Sequence, residues 1–561
     1  MTVTDYLDRL NTRYKSGISR EHAYRTDLEI LIRELVSGID ITNEPANVTD
    51  CGNPDYVITL KKIPVGYIEA KDIGKDLKAA VYKEQFNRYR KALDNLIITD
   101  YLWFRFYRHG QLIHEIRIGE PDGKKINPLP ENFQQFERLI KDFCSFIGQT
   151  IKSSKKLAEM MAAKARLLEN ILERAVSSDE ETRENTSLKG QFESFKHILI
   201  HDLTPKAFAD IYAQTLAYGM FAARLHDPTL QDFSRQEAAE LIPKTNPFLR
   251  KLFQYVAGYD IDERIKTTVD NLADVFRATD VKALLQNFGK PTQTQDPIIH
   301  FYETFLSEYD PKLRKSRGVW YTPGPVVNFI VRAVDDILKT EFDLPDGIAD
   351  TSKTKIKRRT QTKDNRTESG YKEIEQEVHK VQILDPATGT GTFLAEVVKH
   401  IYNTRFQHMK GAWSGYVDQH LIPRLNGFEL LMASYSMAHL KLDMLLRETG
   451  YNASPHGRGG RRFNIYLTNS LEEHHPDTGT LFAGWLSSEA NEANHIKRDT
   501  PVMVVMGNPP YSGESANKGA WIMNLMEDYK KEPGGKEKLR ERNPKWINDD
   551  YVKFIRYGQH F

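Results

Sequence analysis

The 561-residue sequence predicts a multidomain α/β protein with an α/β domain at each end and a helical segment between them. Short apolar runs alternate with amphipathic helical patterns in residues 1–145 and again in residues 311–561. Residues 146–310 are helical in pattern almost throughout. A chain of this length is also expected to hold three or more domains.

Composition narrows the class of protein. The hydrophobic content of 40% allows sizeable cores, and the net charge of +1 means that any nucleic-acid surface must come from local clustering. Cys51 and Cys144 are too few for a cysteine-based zinc site and suit a reducing cytoplasm. The N-terminus lacks a secretion signal, and no apolar run is long enough to predict a membrane span.

The N-terminal domain is predicted to combine helices with a sheet. A turn at His109-Gly110 joins the last two strands as a hairpin. The predicted helices are Val3–Tyr14, Arg20–Leu35 and Lys78–Leu93. The predicted strands are Tyr56–Leu60, Val65–Ala70, Leu96–Thr99, Trp103–Tyr107 and Leu112–Ile118.

Acidic side chains gather at the first two of these strands. Asp55 precedes one strand, while Glu69 and Lys71 lie on the same face of the next, so a hairpin would bring the three together. Two carboxylates with a backbone carbonyl can hold Mg²⁺, and the metal with Lys71 can activate water for attack on phosphate. On the following helix, Gln85 and Tyr89 share one face.

This pattern resembles the PD-(D/E)xK nucleases, including their Q-x-x-x-Y variant. The resemblance assigns Asp55, Glu69, Lys71 and Gln85 to catalysis, with Asp55 and Glu69 as metal ligands. Glu29 is a candidate further ligand, for which Glu21 competes. Because Asp and Glu-x-Lys are also common on solvated strands, an inactive or structural domain is the alternative.

The middle segment is predicted to connect the two α/β domains. Its clearest helices are Leu157–Ala175, Pro205–Arg224 and Pro247–Val256. Asn246 is a suitable N-cap for the last of these, with proline in the first helical position.

In the C-terminal domain, a strand at Val381–Leu384 runs into a Gly/Thr-rich turn and then a helix at Phe393–Tyr402. Such glycines let the backbone approach a ligand, and the helix N-terminus adds hydrogen-bond donors. The turn lacks the lysine of a Walker loop, and by itself it could be a plain strand–helix connection.

A second apolar strand, Pro501–Gly507, ends in Asn508-Pro509-Pro510-Tyr511. The prolines fix the backbone and remove amide donors, which leaves an amide side chain and a carbonyl as acceptors beside an aromatic ring. This arrangement favours binding of a flat group that bears an NH₂.

Together the two segments resemble the gamma-class methyltransferases that act on adenine N6 in DNA. Gly318–Pro323, followed by the helix Val326–Leu338, is similar to the element that closes over S-adenosylmethionine (SAM) in that family. The resemblance assigns catalysis to Asn508, Pro509, Pro510 and Tyr511. It assigns cofactor binding to Tyr321, Thr322, Pro323, Asp385, Pro386, Ala387, Gly389, Gly391 and Phe393.

Two further cofactor contacts are implied. Glu429 stands where related folds bind the ribose hydroxyls, although an ordinary capping glutamate is the alternative. Asn469 stands where the family often has an aspartate beside the adenine of SAM.

The whole order resembles restriction–modification enzymes of types IIG and ISP, which act on double-stranded DNA. The middle segment is too short for the helicase motor of type ISP enzymes, and no Walker loop occurs, which favours the type IIG layout. Asp550–Ile555 resembles the helix after the catalytic loop. Because the family's remaining strands and target-recognition domain do not follow, we expect the methyltransferase domain to be incomplete and the chain to be a fragment; the alternative is that those parts lie on another chain.

Three polar segments are predicted to be solvated loops: 350–363, which is basic, 457–462, and the pair His474-His475. The alternative for the first two is contact with phosphate, and the alternative for the histidines is a metal pair. Other functions remain open. Glutamine methylation in proteins uses a similar Asn-Pro-Pro-Tyr loop, the nuclease could be inactive beside a working methyltransferase, or the chain could be a DNA-binding subunit without catalysis.

Overall fold

The computed structural model describes residues 1–15, 21–43, 54–60, 63–146, 151, 153–182, 186–229, 232–287, 297–310, 322–363, 366, 371–452, 462–473, 481–511, 515–532, 535–540 and 544–561. The chain divides into two compact units. The first comprises Met1–Leu157, Pro228–Phe233 and Ala273–Leu284, and the second comprises the remaining residues. The predicted domain boundaries at residues 145 and 310 remain a prediction.

The first unit contains a six-stranded sheet in the order β1-β2-β3-β4-β5-β6. Neighbouring strands run antiparallel except β3 and β4, which are parallel and are joined by helix α3. The elements are α1 Val3–Lys15, α2 Glu21–Leu35, β1 Ile39–Asn43, β2 Tyr56–Leu60, β3 Ile63–Ala70, α3 Lys83–Ala92, β4 Asn95–Thr99, β5 Trp103–Arg108, β6 Gln111–Arg117, β7 Gly119–Asp122, β8 Lys125–Pro128 and α4 Phe133–Ser145.

Both faces of this sheet are covered, which explains why its central strands are apolar at successive positions. Ile97 of β4 belongs to a core with residues of α1, α2 and α4. Its neighbours Leu96 and Ile98 point to the opposite face and join a second core with Phe86 and Tyr89 of α3. The alternation along β4 therefore serves two cores.

All predicted strands and helices of this unit are present, with small shifts of their ends. The prediction missed β1 and the β7–β8 hairpin, which are short and rich in polar residues, glycine and proline. Helix α3 is shorter than predicted, because the Lys78 amide donates to Asp76 Oδ1 (2.9 Å) in a turn that competes with the helix.

Residues between 154 and 309 are helical over most of their described length. The N-cap prediction is confirmed, since Asn246 Oδ1 accepts a hydrogen bond from the Leu249 amide (3.0 Å). The helices are α5 Ser154–Thr182, α6 Ser187–Ile198, α7 Pro205–His226, α8 Arg235–Leu241, α9 Pro247–Ala257, α10 Glu263–Arg277, α11 Val281–Asn287 and α12 Pro297–Tyr309.

The second unit is built on a four-stranded parallel sheet in the order β13-β12-β11-β14. Helix α7 packs against α16 (Met432–Glu448), a helix of this unit, and His226 Nε2 of α7 lies 3.0 Å from Asp443 Oδ2 of α16. The elements are α13 Gly324–Thr340, β9 Lys353–Lys363, β10 Tyr371–His379, β11 Gln382–Asp385, α14 Thr392–Ile401, α15 Lys410–Tyr416, β12 Leu425–Glu429, α16 Met432–Glu448, β13 Asn464–Leu467, α17 Leu481–Asp499, β14 Val502–Val505, α18 Ala520–Met526 and α19 Asp550–Gly558.

The prediction of a loop at residues 350–363 is wrong, since most of this segment forms strand β9, which pairs antiparallel with β10. The ribbon carries opposite charges across its strands, as in Lys353–Glu377 (3.2 Å) and Lys355–Glu375 (3.7 Å). These cross-strand pairs stabilise a strand whose sequence is mostly polar and basic. Of the other predicted loops, only Arg462 lies within the described residues.

None of the described helices is long and apolar enough to cross a membrane. Cys144 is buried in the first unit as a free thiol. Cys51 lies outside the described residues.

The β5–β6 turn gives a test of the first unit. His109 and Gly110 both have positive φ (45° and 77°), and a Cβ on Gly110 would lie 2.7 Å from the Arg90 carbonyl oxygen. We expect Gly110→Ala to destabilise this unit by about 2 kcal/mol, because strain and the clash add. Urea unfolding monitored by circular dichroism measures the loss.

Gly123→Ala is the matched control for that substitution. Gly123 also has positive φ (57°), but nothing lies within 4 Å of its added Cβ. The control should therefore cost only the backbone strain, about 1 kcal/mol. Equal losses for the two variants would contradict the role of the Arg90 contact.

Candidate functional site

The Gly/Thr-rich turn lies at the carboxyl end of β11. Gly389 and Gly391 have positive φ (55° and 78°), and α14 begins directly after Gly391. The turn is held in place because the Thr388 amide donates to the Phe428 carbonyl (3.0 Å) and its hydroxyl donates to the Asp385 carbonyl (3.0 Å). The backbone is therefore preset to approach a ligand at the end of the sheet.

Asp385 closes the strand and is buried. Its Oδ1 accepts from the Ala387 amide (3.1 Å), while its Oδ2 is buried and has no hydrogen-bond partner among the residues that the structure describes. Burial raises the pKa of Asp385 to about 8, and the nearby Glu429 carboxylate adds to the effect. An acceptor of this kind is suited to a cationic or hydrogen-bond-donating ligand.

Glu429 ends the neighbouring strand β12. Its Oε2 accepts from the Gly389 amide (2.7 Å), and its Oε1 accepts from the Leu430 and Leu431 amides (2.8 Å each). The carboxylate thus fixes the two residues that precede α16 and also braces the glycine turn. Burial raises its pKa to about 7, and the amide donors oppose that rise.

Asn469 follows β13, the next strand of the sheet. Its Nδ2 donates to Glu472 Oε1 (3.0 Å) and Asn517 Oδ1 (2.9 Å), while its Oδ1 accepts from the Leu471 amide (3.1 Å). Asp385, Glu429 and Asn469 therefore end three adjacent parallel strands.

The Asn-Pro-Pro-Tyr segment follows β14, which pairs with β11 on its other side. The Met506 amide donates to the Leu384 carbonyl (3.0 Å), and a Cβ on Gly507 would lie 2.5 Å from Asp385 Oδ1. Gly507 therefore packs directly against the Asp385 carboxylate, and Asn508 is the next residue along the chain.

A groove of about 1000 Å³ borders this segment. Its lining includes Pro386, Asn508, Pro509 and Tyr511. The Tyr511 ring is 59% exposed and stacks on Tyr551, with ring centroids 5.2 Å apart. An exposed aromatic ring at the rim of a groove can stack on a planar group. Pro510 is exposed.

The remaining predicted cofactor contacts occupy different positions. Thr322 and Pro323 precede α13, whereas Tyr321 lies outside the described residues. Helix α13 is fastened to α14, since Asn328 Nδ2 donates to Glu396 Oε1 (2.6 Å). Phe393 is buried in α14, and the Pro386 carbonyl accepts from the Ser470 hydroxyl.

The N-terminal candidate residues meet around Glu69, which is buried at the end of β3. Its Oε1 accepts from Lys71 Nζ (2.6 Å) and from Gln85 Nε2 (2.8 Å). Tyr89 is buried against the same side of the sheet. The helix α3 thus places Gln85 against the carboxylate.

Asp55 lies beside this group, because its Oδ2 accepts from the Ala70 amide (2.7 Å). Its Oδ1 is paired with Arg25 Nη2 of α2, a partner that the sequence analysis did not single out. Glu29 is engaged elsewhere, with Asn43 (2.6 Å) and Arg33, and the Glu21 side chain lies outside the described residues. Within the described part of the chain, no three His, Cys, Asp or Glu side chains are grouped to hold a metal ion.

Several other residues contact the candidate cofactor loops and carry no sequence motif. Lys497 is buried, and its Nζ donates to the Asn469 carbonyl (2.7 Å). Ser470 and Asn517 also touch these loops. Lys497 follows Leu486, Ala490 and Ala493 at helical spacing, so a lysine on the apolar face of α17 was a signal that the sequence offered.

Residues 359–539 match the family described as MmeI, DNA-methyltransferase domain. A search of curated proteins gives no significant match. The chain therefore carries a methyltransferase domain of this type, as the resemblance in its motifs predicted.

Similar solved structures include the DrdV–DNA complex (19% identity, TM-score 0.46), covering 99% of this chain and 48% of that one. The type ISP restriction–modification enzyme LlaBIII bound to DNA is 17% identical over 77% of this chain and 26% of its own, with a TM-score of 0.50. The type IIG restriction endonuclease BpuSI is 14% identical over 95% of this chain and 48% of its own, with a TM-score of 0.30. The chain spans less than half the length of each.

The raised pKa of Asp385 gives a pH test. A carboxyl whose pKa rises from 3.8 to about 8 on folding binds more protons in the folded state between these values. The contribution of Asp385 to the stability of this unit should therefore be greatest below pH 4 and should be lost as the pH rises through about 8. Asp385→Asn should reduce the fall in Tm between pH 5 and pH 9, which differential scanning calorimetry measures.

Asp336→Asn, at an exposed position on α13, is the control and should leave the pH dependence unchanged. Parallel Tm profiles for wild type and Asp385→Asn would contradict the assignment.

Proposed function

We propose that the chain is part of a restriction–modification enzyme that methylates adenine N6 in double-stranded DNA with SAM. The observation that carries the proposal is the side-by-side placement of two loops at adjacent strand ends. Gly507, directly before Asn508, packs against Asp385 of the glycine turn. The match of residues 359–539 to a DNA-methyltransferase family supports DNA rather than protein glutamine as the substrate.

The residues around the glycine turn fit SAM. Within the described part of the chain, Asp385 Oδ2 is a buried acceptor without a hydrogen-bond partner, and the positive φ of Gly389 and Gly391 shapes the turn beside it. Glu429 Oε2 and Asn469 Oδ1 each keep acceptor capacity beyond their single protein donor. Asp385 and Glu429 would receive the cofactor's hydroxyl and cationic groups, and Asn469 its adenine amine. The cofactor supplies a methyl group on an activated sulfonium.

The catalytic segment would act by binding the target amine. Asn508 Oδ1 and the Pro509 carbonyl would accept the two amine hydrogens and favour a lone pair localised on nitrogen. The target base must leave the duplex to reach them. Tyr511, exposed at the groove, would stack on the extruded base.

For the N-terminal unit we propose Mg²⁺-dependent cleavage of DNA. Glu69 and Asp55 would hold the ion, which requires Asp55 to exchange its pairing with Arg25 for the metal. Lys71 would orient the attacking water, and Gln85 would keep Glu69 in position through their 2.8 Å contact. The convergence of Lys71 and Gln85 on one carboxylate oxygen supports this assignment over a solvated strand face.

The first experiment incubates the chain with labelled SAM and mixed-sequence DNA and then digests the DNA to nucleosides. Label in N6-methyladenine supports the proposal. If a protein is added and label is found in its glutamine, the substrate would be protein rather than DNA. SAM and DNA binding without transfer would favour a binding subunit.

Asn508→Ala should lower the methylation rate at least about 100-fold, because one of two acceptors for the target amine is lost. SAM affinity, measured by calorimetry, should stay within about twofold, because Asn508 is not assigned to the cofactor. Asn403→Ala, at an exposed position, is the control. A normal rate for Asn508→Ala would refute the role given to Asn508.

Lys71→Ala should abolish Mg²⁺-dependent cleavage and leave methylation unchanged, because Lys71 belongs to the other unit. Cleavage is measured on unmethylated plasmid by gel electrophoresis. Lys75→Ala, four residues away and exposed, should cleave normally. Undiminished cleavage by Lys71→Ala would remove Lys71 from the site.

A further inference from the structure

We propose that Asn469, Asn517 and Asp550 form a hydrogen-bonded relay that couples the adenine end of the cofactor pocket to the segment after the catalytic loop. Asn517 is the positioning residue at its centre. The inference rests on the proposed function, because it takes Asn469 as the contact to adenine.

The side chain of Asn469 can adopt only one amide orientation. Both hydrogens of Nδ2 are used, one by Glu472 Oε1 (3.0 Å) and one by Asn517 Oδ1 (2.9 Å). Oδ1 faces a donor, the Leu471 amide. The amide therefore presents one remaining oxygen lone pair, which suits the amine of adenine.

The backbone of Asn469 is fixed from the opposite side. Lys497 Nζ donates to the Asn469 carbonyl (2.7 Å), the Glu472 carbonyl (2.7 Å) and the Thr468 hydroxyl (3.2 Å). Lys497 is fully enclosed, so these bonds are made without competition from water. A ligand that binds the Asn469 side chain should therefore act on its side-chain partners, Glu472 and Asn517, rather than by moving the loop, and of these two Asn517 leads to the segment after the catalytic loop.

Asn517 passes the contact to α19. Its Nδ2 donates to Asp550 Oδ1 (3.1 Å), and its amide donates to the Ser515 hydroxyl (3.1 Å). Ser515 donates to Asp550, and Lys553 Nζ donates to both the Ser515 hydroxyl (2.7 Å) and the Asn517 carbonyl. Ser515, Asp550 and Lys553 are buried.

Cofactor-pocket residues therefore touch the chain on both sides of Asn508–Tyr511. Asp385 contacts Gly507 before the motif, and Asn469 contacts Asn517 after it. Tyr551, next to Asp550, stacks on Tyr511 itself. Occupancy of the adenine pocket should accordingly reduce the motion of the chain that flanks the catalytic residues.

Hydrogen–deuterium exchange with S-adenosylhomocysteine, adenosine and methionine as separate probes tests the relay. In the wild type, S-adenosylhomocysteine and adenosine should slow exchange of the amides at 515–519 several-fold, and methionine should not. In Asn517→Ala the protection at 515–519 should disappear while protection at 385–391 persists. Adenosine affinity should weaken about three- to tenfold, because the Asn469 amide loses one of its fixing bonds.

Asn403→Ala is the matched control and should retain the full response. If Asn517→Ala does not fold, Asn517→Ser, which is too short to bridge Asn469 and Asp550, replaces it. A purely structural role would speed exchange equally with and without ligand, and that result would overturn the relay. So would wild-type protection at 385–391 without any at 515–519. Absence of protection at both places would overturn the proposed function and the relay with it.

Discussion

The parallel pairing of β11 with β14 is the constraint on which the candidate site depends. Two strands far apart in sequence end side by side because the Met506 amide bonds to the Leu384 carbonyl. Each strand delivers one loop to the same edge of the sheet: a glycine turn with a buried carboxylate, and a proline-fixed segment with an amide acceptor. Neither loop alone has both the buried carboxylate and the amide acceptor. The absence of a side chain at Gly507 lets them touch.

The removal of ionisable side chains from water is a second feature of the candidate site. Asp385 and Glu429 are removed from water at the ends of adjacent strands, and Lys497 of α17 is buried against the loop that follows the next strand; burial raises the pKa of the two carboxyls and lowers the pKa of the lysine. Such groups are costly in an empty pocket and favourable when a ligand of opposite polarity replaces water. The raised pKa of Asp385 also implies that a cationic ligand would bind together with the release of a proton.

The sequence predicted the elements that carry strong periodicity or fixed turn chemistry. The strands around Glu69, the His109-Gly110 turn and the Asn246 cap have local causes and are present in the structure. The β9 strand was missed because its lysines pair with glutamates 20 and 24 residues downstream, which a window of local composition does not include. The Asn469–Asn517 contact could not be predicted either, since it joins two short loops 48 residues apart in sequence without any motif.

In the β9–β10 ribbon, the residue before β9 lies beside the residue after β10. The Lys380 amide donates to the Ser352 carbonyl (2.9 Å) at its base, immediately before β11. The ribbon therefore starts and ends at one place beside the four-stranded sheet, directly before β11. This position therefore offers a graft site, where a fluorescent reporter or a different hairpin could replace the ribbon tip while Asp385 keeps its place in the sheet.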